Sequence, residues 1–172
     1  MLRKISVALL SAMCFLWLII GCSKSNSLTS IQVGDKIISY DMTQSDAENL
    51  IGKGKSLGLP PDQYVDDEIE YNKSLRIAYK DHKIRYFEID EPNIKTYNSI
   101  QVGNSLADVL TKYKYEQDKI TKYMVAFYNN NEVDASNSKQ KIDYWIGYCY
   151  QHNTVTAIQI YDNDFSKSTY VL

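Results

Sequence analysis

Two parts of the chain alternate apolar and polar residues in the way that antiparallel strands do. The paired segments are 75–79 with 84–89, around a polar turn, and 143–150 with 155–160, around a second polar turn. β-Branched and aromatic residues bounded by short polar turns are typical of hairpins. The pattern therefore predicts two hairpins. It also predicts one further strand before each, near 68–71 and over 122–128, and a long polar loop over 129–139.

A short helix is predicted upstream of each hairpin. Thr43 is followed three residues later by Asp46, and Ser105 is followed by Asp108, in both cases ahead of spaced apolar residues. Thr and Ser side chains can accept a hydrogen bond from a free backbone N–H at a helix start, and an early Asp suits the helix dipole. Gly52 marks the end of the first helix. The spacing predicts two helices of roughly 8–10 residues each.

A five-residue motif occurs twice and suggests internal duplication. The sequence Ser-Ile-Gln-Val-Gly stands at 30–34 and again at 99–103, which is 69 positions later (99 − 30). Repeats of this kind decide the architecture of a chain. Together with the helix and hairpin signals, the motif predicts an α+β fold of two repeats, 30–96 and 97–172. Each repeat would be a short helix followed by a three-stranded antiparallel meander.

The first 21 residues have the three parts of a secretory signal. Arg3 and Lys4 supply positive charge, 5–20 is almost wholly apolar, and Gly21 provides a small residue before the polar run that starts at Ser23. An apolar run of this length is short for a membrane span, which needs about 20 residues. An uncleaved membrane anchor is the alternative.

The end of this segment resembles the lipobox of bacterial lipoproteins. The residues that carry the resemblance are Ile19, Ile20, Gly21 and Cys22. It implies cleavage after Gly21, a lipid on the Cys22 sulfur, and a tether over 22–29. We therefore expect a protein held by its lipid on the extracytoplasmic face of the cell membrane. The mature chain would have 151 residues (172 − 21) and a net charge of −4 (17 − 21).

The body of the chain resembles the β-lactamase-inhibitor-protein-like fold and the outer-membrane lipoproteins of the SmpA/OmlA type. The resemblance rests on 97–113, with its Ile-x-x-Gly motif and capped short helix, and on the related stretch 41–52. It implies the fold and no inhibitory activity. The inhibitor proteins carry disulfides, whereas Cys14 would leave with the signal and Cys22 would carry lipid, so Cys149 would have no partner. Many Lys and few Arg residues favour a low-GC Gram-positive source.

Composition and motifs give little sign of catalysis. A net charge of −2 provides no basic footprint for nucleic acid. His82 and His152 fall in predicted turns, Cys149 lies inside a predicted strand, and the acidic runs at 66–70 and 162–164 lack the spacing of a calcium loop. No Gly-x-Ser-x-Gly elbow or phosphate loop is present. We therefore predict no metal, no cofactor and no enzymatic activity.

The strand 143–150 carries the candidate binding residues. Its alternation places Tyr144, Tyr148 and Tyr150 on one face and Trp145 on the other. Tyr and Trp are enriched at interaction hot spots, so these four residues form the predicted binding surface. The leading hypothesis is a non-enzymatic module that binds another envelope protein. The alternatives are a solute- or glycan-binding lipoprotein, which would need a pocket of several hundred Å³, and an envelope hydrolase.

Overall fold

The computed structural model describes residues 28–113, 119–120, 124–128 and 144–165, which lie mostly in antiparallel strands. The signal segment, Gly21, Cys22 and most of the tether therefore lie outside the described residues. The strands are β1 (Ser30–Val33), β2 (Lys36–Ser39), β3 (Lys55–Ser56), β4 (Asp67–Tyr71), β5 (Leu75–Lys80), β6 (Lys83–Ile89), β7 (Ile94–Thr96), β8 (Lys119–Ile120), β9 (Met124–Tyr128), β10 (Tyr144–Gln151) and β11 (Thr154–Asp162). The helices are α1 (Gln44–Ile51) and α2 (Leu106–Lys112).

The strands form two antiparallel sheets. The larger has eight strands in the order β3-β4-β5-β6-β11-β10-β9-β8, and the smaller has three in the order β2-β1-β7. Both predicted hairpins are confirmed as β5–β6 and β10–β11. They are joined in the middle of the large sheet by antiparallel pairing of β6 with β11, where Phe87 lies opposite Ile160. The large sheet therefore has two four-stranded halves that meet at this pair.

The predicted α+β class, with two repeats that are each a helix and a three-stranded meander, is wrong. The described part of the chain is mostly strand, and its two helices have only eight and seven residues. The backbone hydrogen-bonding groups of β6 and β11 pair with each other, so the strands after both helices become one continuous sheet. An isolated hairpin is marginally stable in water, and joining the two gains a shared apolar face. The division of the chain between 96 and 97 stays a prediction.

The repeated five-residue motif adopts two different structures, which explains part of the error. The first copy forms β1 and then the two-residue turn of Gly34 and Asp35, which leads straight into β2. Gly34 has φ +61°, a conformation that glycine reaches without steric cost. The second copy instead leads into the start of α2. Because the two copies have the same sequence, the prediction treated them alike and missed a third hairpin, β1–β2.

Both helix starts are confirmed, and each is docked on a hairpin turn. Thr43 and Ser105 are the N-caps, and their side chains accept hydrogen bonds from the backbone N–H groups of Asp46 and Asp108 at 3.1 Å. Thr43 forms an isolated β-bridge with Lys83 in the β5–β6 turn region, and Ser105 forms one with Thr154 after the β10–β11 turn. The caps therefore fasten each short helix to a hairpin.

The main core lies between the large sheet, the helices and the small sheet, and it contains many of the 15 tyrosines. Tyr71 and Tyr79 are buried with their hydroxyl oxygens 2.8 Å apart. Tyr113 and Tyr148 are hydrogen-bonded to each other through their hydroxyls, with ring centroids 5.6 Å apart. Buried polar groups are stable when they are hydrogen-bonded, so pairing lets these hydroxyls enter the interior.

Gly54 provides a test of the packing at the edge of the large sheet. A Cβ at this position would lie 2.4 Å from Ile69 Cγ2 and 2.7 Å from the Glu70 carbonyl oxygen. We expect Gly54→Ala to lower the free energy of unfolding by about 1–3 kcal/mol because β3 must move away from β4. Urea unfolding measures the change, and Lys53→Ala, at an exposed neighbour, is the control. Equal stability of both variants would contradict the packing described here.

Candidate functional site

The four predicted binding residues do not form one surface. Tyr148 is fully buried in the main core, and its hydroxyl donates to Thr96 Oγ1 at 3.3 Å. Tyr144 and Tyr150 are half-buried and pack against the same core. Trp145 packs in a second cluster around Tyr86 and Phe165, two residues whose rings stack at 4.6 Å. The alternation along β10 therefore divides the set between the two faces, and Tyr148 has no surface to offer a partner.

A polar cleft of about 500 Å³ lies where the end of β11 meets the start of β6. Its polar lining consists of Gln63, Lys80, Asp81, Arg85, Asp162 and Asp164. The rings of Tyr64 and Phe165 complete the lining. Phe165 is 1% exposed, whereas Tyr64 is half-buried, so Tyr64 is the aromatic side chain that a ligand could contact. We call this group of eight residues the Arg85 cleft.

Arg85 holds the cleft together through contacts with two separate parts of the chain, residues 40–41 and Asp162. Its guanidinium lies 3.7 Å from Asp41 and 3.7 Å from Asp162. It also donates to the Tyr40 hydroxyl at 3.3 Å and lies over the Tyr40 ring, 5.7 Å from the centroid. Tyr40 in turn donates to Asp162. The network fixes the positions of Arg85 and Asp162 before any ligand arrives, which limits the entropy cost of binding.

A second ion pair orders the other side of the cleft. Lys80 Nζ donates to Asp66 at 2.7 Å, and the same carboxylate accepts the backbone N–H of Asp81 at 2.7 Å. Hydrogen bonding from Lys80, with a smaller contribution from the Asp81 N–H, lowers the pKa of Asp66. Asp66 thus stays ionised and holds both the Lys80 side chain and the β5–β6 turn in place.

The cleft has an excess of acid. Among its lining residues, Lys80 and Arg85 are positive, while Asp81, Asp162 and Asp164 are negative. Asp81 and Asp164 are exposed at the mouth of this lining. The lining therefore presents donors and acceptors together and favours a neutral or amine-bearing ligand over an anionic one.

The other residues considered in the sequence lie apart from this cleft. His82 and His152 are exposed in the two hairpin turns, with φ of 60° and 51°. Cys149 is half-buried on β10, and burial raises the pKa of its thiol, which disfavours the nucleophilic thiolate. Within the described ranges, no three His, Cys, Asp or Glu side chains are placed to hold a metal ion.

A smaller cavity of about 240 Å³ lies beside the β4–β5 turn. Val33, Ile51, Leu75 and Ile94 provide apolar walls, and Tyr71 is among the residues that line it. Its walls belong to the main core, so we interpret it as a gap between the small sheet, α1 and the large sheet. The Arg85 cleft is the better candidate site because charged and polar groups converge there.

Sequence reasoning missed the Arg85 cleft because its members are scattered. Arg85 is one of three arginines and lies in the segment 84–89, whose apolar pattern predicts a hairpin strand and no site. Tyr40 and Asp41 follow β2, a strand that the sequence pattern does not predict, and Asp162 belongs to the acidic run 162–164, which lacks the spacing of a calcium loop. The available signal was a charged residue among the apolar residues of a central strand.

Comparison with known proteins identifies one solved structure with a related fold. An extracellular protein containing a SCP domain from Bacillus anthracis matches with a TM-score of 0.50 and 12% sequence identity. The match covers 74% of this chain and 45% of that one, so this chain spans less than half of the length of the solved protein. No protein-family model matches the chain. A search of curated proteins also finds no match.

In the described ranges, neither helix combines the length and apolar character that crossing a bilayer requires.

The buried tyrosines predict a marked loss of stability at alkaline pH. Burial is the main cause that raises the pKa of seven of them: Tyr40, Tyr71, Tyr79, Tyr86, Tyr113, Tyr148 and Tyr161. Below about pH 10 both states keep these protons and the stability is complete. Above it the unfolded chain ionises first, so stability falls as pH rises, by up to about 1.4 kcal/mol per pH unit for each such tyrosine.

Urea midpoints measured between pH 8 and pH 11 test this expectation. The midpoint should stay level to about pH 9 and then fall steeply. Tyr40→Phe removes one of the seven groups, so its decline should be shallower than that of the wild type. A wild-type midpoint that is level through pH 11 would contradict the burial of these hydroxyls.

Proposed function

We propose that this protein is a lipid-anchored, extracytoplasmic binding module of the cell envelope with no catalytic role. The location is supported by the signal-like segment 1–21 and by Cys22 in the lipobox-like sequence. The solved protein of related fold is described as extracellular, which agrees with export of this chain. The binding role is carried by one observation, the Arg85 cleft, whose charged side chains are held in place by ion pairs on rigid strands.

The tether would hold the domain close to the membrane. Six positions separate Cys22 from Leu28, where the described chain starts (28 − 22). A chain of that length reaches at most about 20 Å. The Thr29 carbonyl accepts a hydrogen bond from the Tyr40 N–H at 3.2 Å, and the Tyr40 side chain belongs to the Arg85 network. The cleft would therefore stay near the lipid surface, and its ligand would be a component of the inner part of the envelope.

A glycan or small polar solute fits the cleft better than a protein partner does. Its volume of about 500 Å³ lies within the usual range of about 300–1,000 Å³ for ligand pockets. Sugar hydroxyls need donors and acceptors at close range, which Arg85, Asp164 and Gln63 supply, and the Tyr64 ring can pack against a sugar face. The leading hypothesis from the sequence, an envelope protein as partner, depends on an aromatic surface of which Tyr148 is fully buried.

The lipid anchor is tested by replacing each cysteine in turn. We expect Cys22→Ser to abolish incorporation of radiolabelled palmitate, because sulfur is the lipid acceptor. Cys14→Ser and Cys149→Ser are matched controls and should remain labelled and membrane-bound. Normal labelling of the Cys22→Ser variant would contradict the anchor.

Ligand binding is tested by titrating the soluble domain, residues 23–172, with three sets of oligosaccharides. The sets are neutral N-acetylglucosamine oligomers, amine-bearing glucosamine oligomers and anionic galacturonate oligomers. We expect saturable heat release with the neutral or amine-bearing sugars and none with the anionic ones. Asp164→Asn and Gln63→Ala should weaken binding about tenfold each, the expected cost of one hydrogen bond with a charged or polar partner.

Asp90→Asn provides the control for that titration, since Asp90 is exposed and lies outside the cleft. This variant should bind like the wild type. Binding of the anionic sugars alone, or equal binding by all variants, would contradict a glycan site in the cleft. If no sugar binds and the anchored domain captures a single envelope protein, the protein-partner alternative gains support.

A further inference from the structure

A row of polar positions crosses the outer face of the large sheet, opposite the main core. The strand registers place Arg76 beside Glu88, Glu88 beside Gln159, and Gln159 beside Gly147. Residues paired across antiparallel strands point to the same face, so all four belong to one row. The row runs through the junction of β6 and β11, where the two halves of the sheet meet.

In the first half of the sheet a guanidinium contacts two carboxylates of this face. Arg76 donates to Glu88 and lies 3.9 Å from Glu68. Glu88 also accepts a hydrogen bond from the Tyr86 hydroxyl. Glu68 is only 4% exposed, and burial raises the pKa of its carboxyl. One arginine thus serves two shielded carboxylates.

The second half of the sheet has no such arginine. Gln159 occupies the position that corresponds to Glu88 (159 − 88 = 71), and Gly147 occupies the one that corresponds to Arg76 (147 − 76 = 71). The two hairpins share this correspondence closely, since each has its register shift at the same place, between Ala78 and Tyr79 and between Cys149 and Tyr150. Glycine has no side chain that could take the place of the guanidinium.

Gln159 is left with an unmatched acceptor. It is 6% exposed, and within the described part of the chain its Oε1 is buried and accepts no hydrogen bond. An unmatched buried acceptor costs about 1–3 kcal/mol. A protein can tolerate such a cost at a functional site, where a bound ligand supplies the donor that the buried acceptor lacks. The row is open to solvent on its Arg76 side, since the side chain of that residue is 37% exposed.

We propose that this row is a binding site for a guanidinium group, which takes the place that an arginine at 147 would occupy. The guanidinium donates to Gln159 Oε1 and lies beside the Glu88 carboxylate, whose oxygens each have a second lone pair. The Glu88 carboxylate, paired with Gln159 across the junction, favours a cation at this position. The group can come from an arginine side chain of a peptide or from a small guanidino compound. The site does not involve the Arg85 cleft.

Side-chain amide NMR of Gln159 tests the proposal on the soluble domain. Titration with methylguanidinium chloride should shift the Gln159 amide signal in a saturable way, while sodium chloride and methylammonium chloride should not. Gln159→Met, which removes the acceptor and keeps the length, should abolish saturable shifts at the neighbouring Glu88 and Gly147 amides. Absence of saturation in the wild type, or an equal response in Gln159→Met, would overturn the proposal.

The source of the guanidinium is distinguished by a second arm with short peptides. If Gly-Arg-Gly saturates the site at a concentration about tenfold lower than methylguanidinium does, the ligand is a peptide. Equal or weaker binding by the peptide points to a small guanidino compound. Both results require that Gly-Lys-Gly fail to saturate, and saturation by that peptide at the same concentration would overturn the choice of a guanidinium.

Stability of the free protein supplies an independent check. Replacing an unmatched acceptor by an apolar group of similar shape is neutral or stabilising. Gln159→Met should therefore melt at the temperature of the wild type or above it. Glu88→Met, which removes the closer of the two carboxylates that Arg76 contacts, is the matched variant and should melt lower. A large fall in melting temperature for Gln159→Met would show that its amide is already satisfied and would overturn the proposal.

Discussion

Pairing of β6 with β11 is the interaction on which the rest of the molecule depends. Four residue pairs join the strands, and their side chains alternate between the two faces of the sheet. Phe87 and Ile160 point to the main core, while Glu88 and Gln159 point to the outer face. The same junction brings Arg85 near Asp162, which creates the cleft. Both the candidate site and the outer polar row therefore exist only where the two halves of the large sheet meet.

The second constraint on the structure is its buried tyrosines, because each one places a polar hydroxyl as well as an apolar ring in the interior. Paired hydroxyls, such as those of Tyr113 and Tyr148, satisfy each other inside the core. Each ring brings a large apolar area with it. The cost is a dependence on neutral hydroxyls, since an ionised phenolate could not stay in that interior. From the sequence, the tyrosines of β10 were expected to form a binding surface. In the structure, many tyrosines belong to the core instead.

Local features of the fold could be predicted from the sequence, and its long-range features could not. Thr43 and Ser105 were recognised as caps because a cap depends on residues three positions away. The β5–β6 and β10–β11 hairpins follow from local alternation and short turns. The junction of Phe87 with Ile160 leaves no such signal, because strand pairing over that distance depends on the whole apolar face. The site residue Arg85 was missed for the same reason, since Tyr40 and Asp162 reach it from distant segments.

The central position of β6 also has a consequence for the order in which the chain is made. Phe87 and its partner Ile160 are 73 residues apart (160 − 87). At a synthesis rate of about 5–20 residues per second, β6 waits roughly 4 to 15 seconds for β11 to emerge. During that time β6 is an open edge that could pair with another copy. Lys83, Arg85 and Glu88 place charges along it, which is a common protection of exposed edges against aggregation.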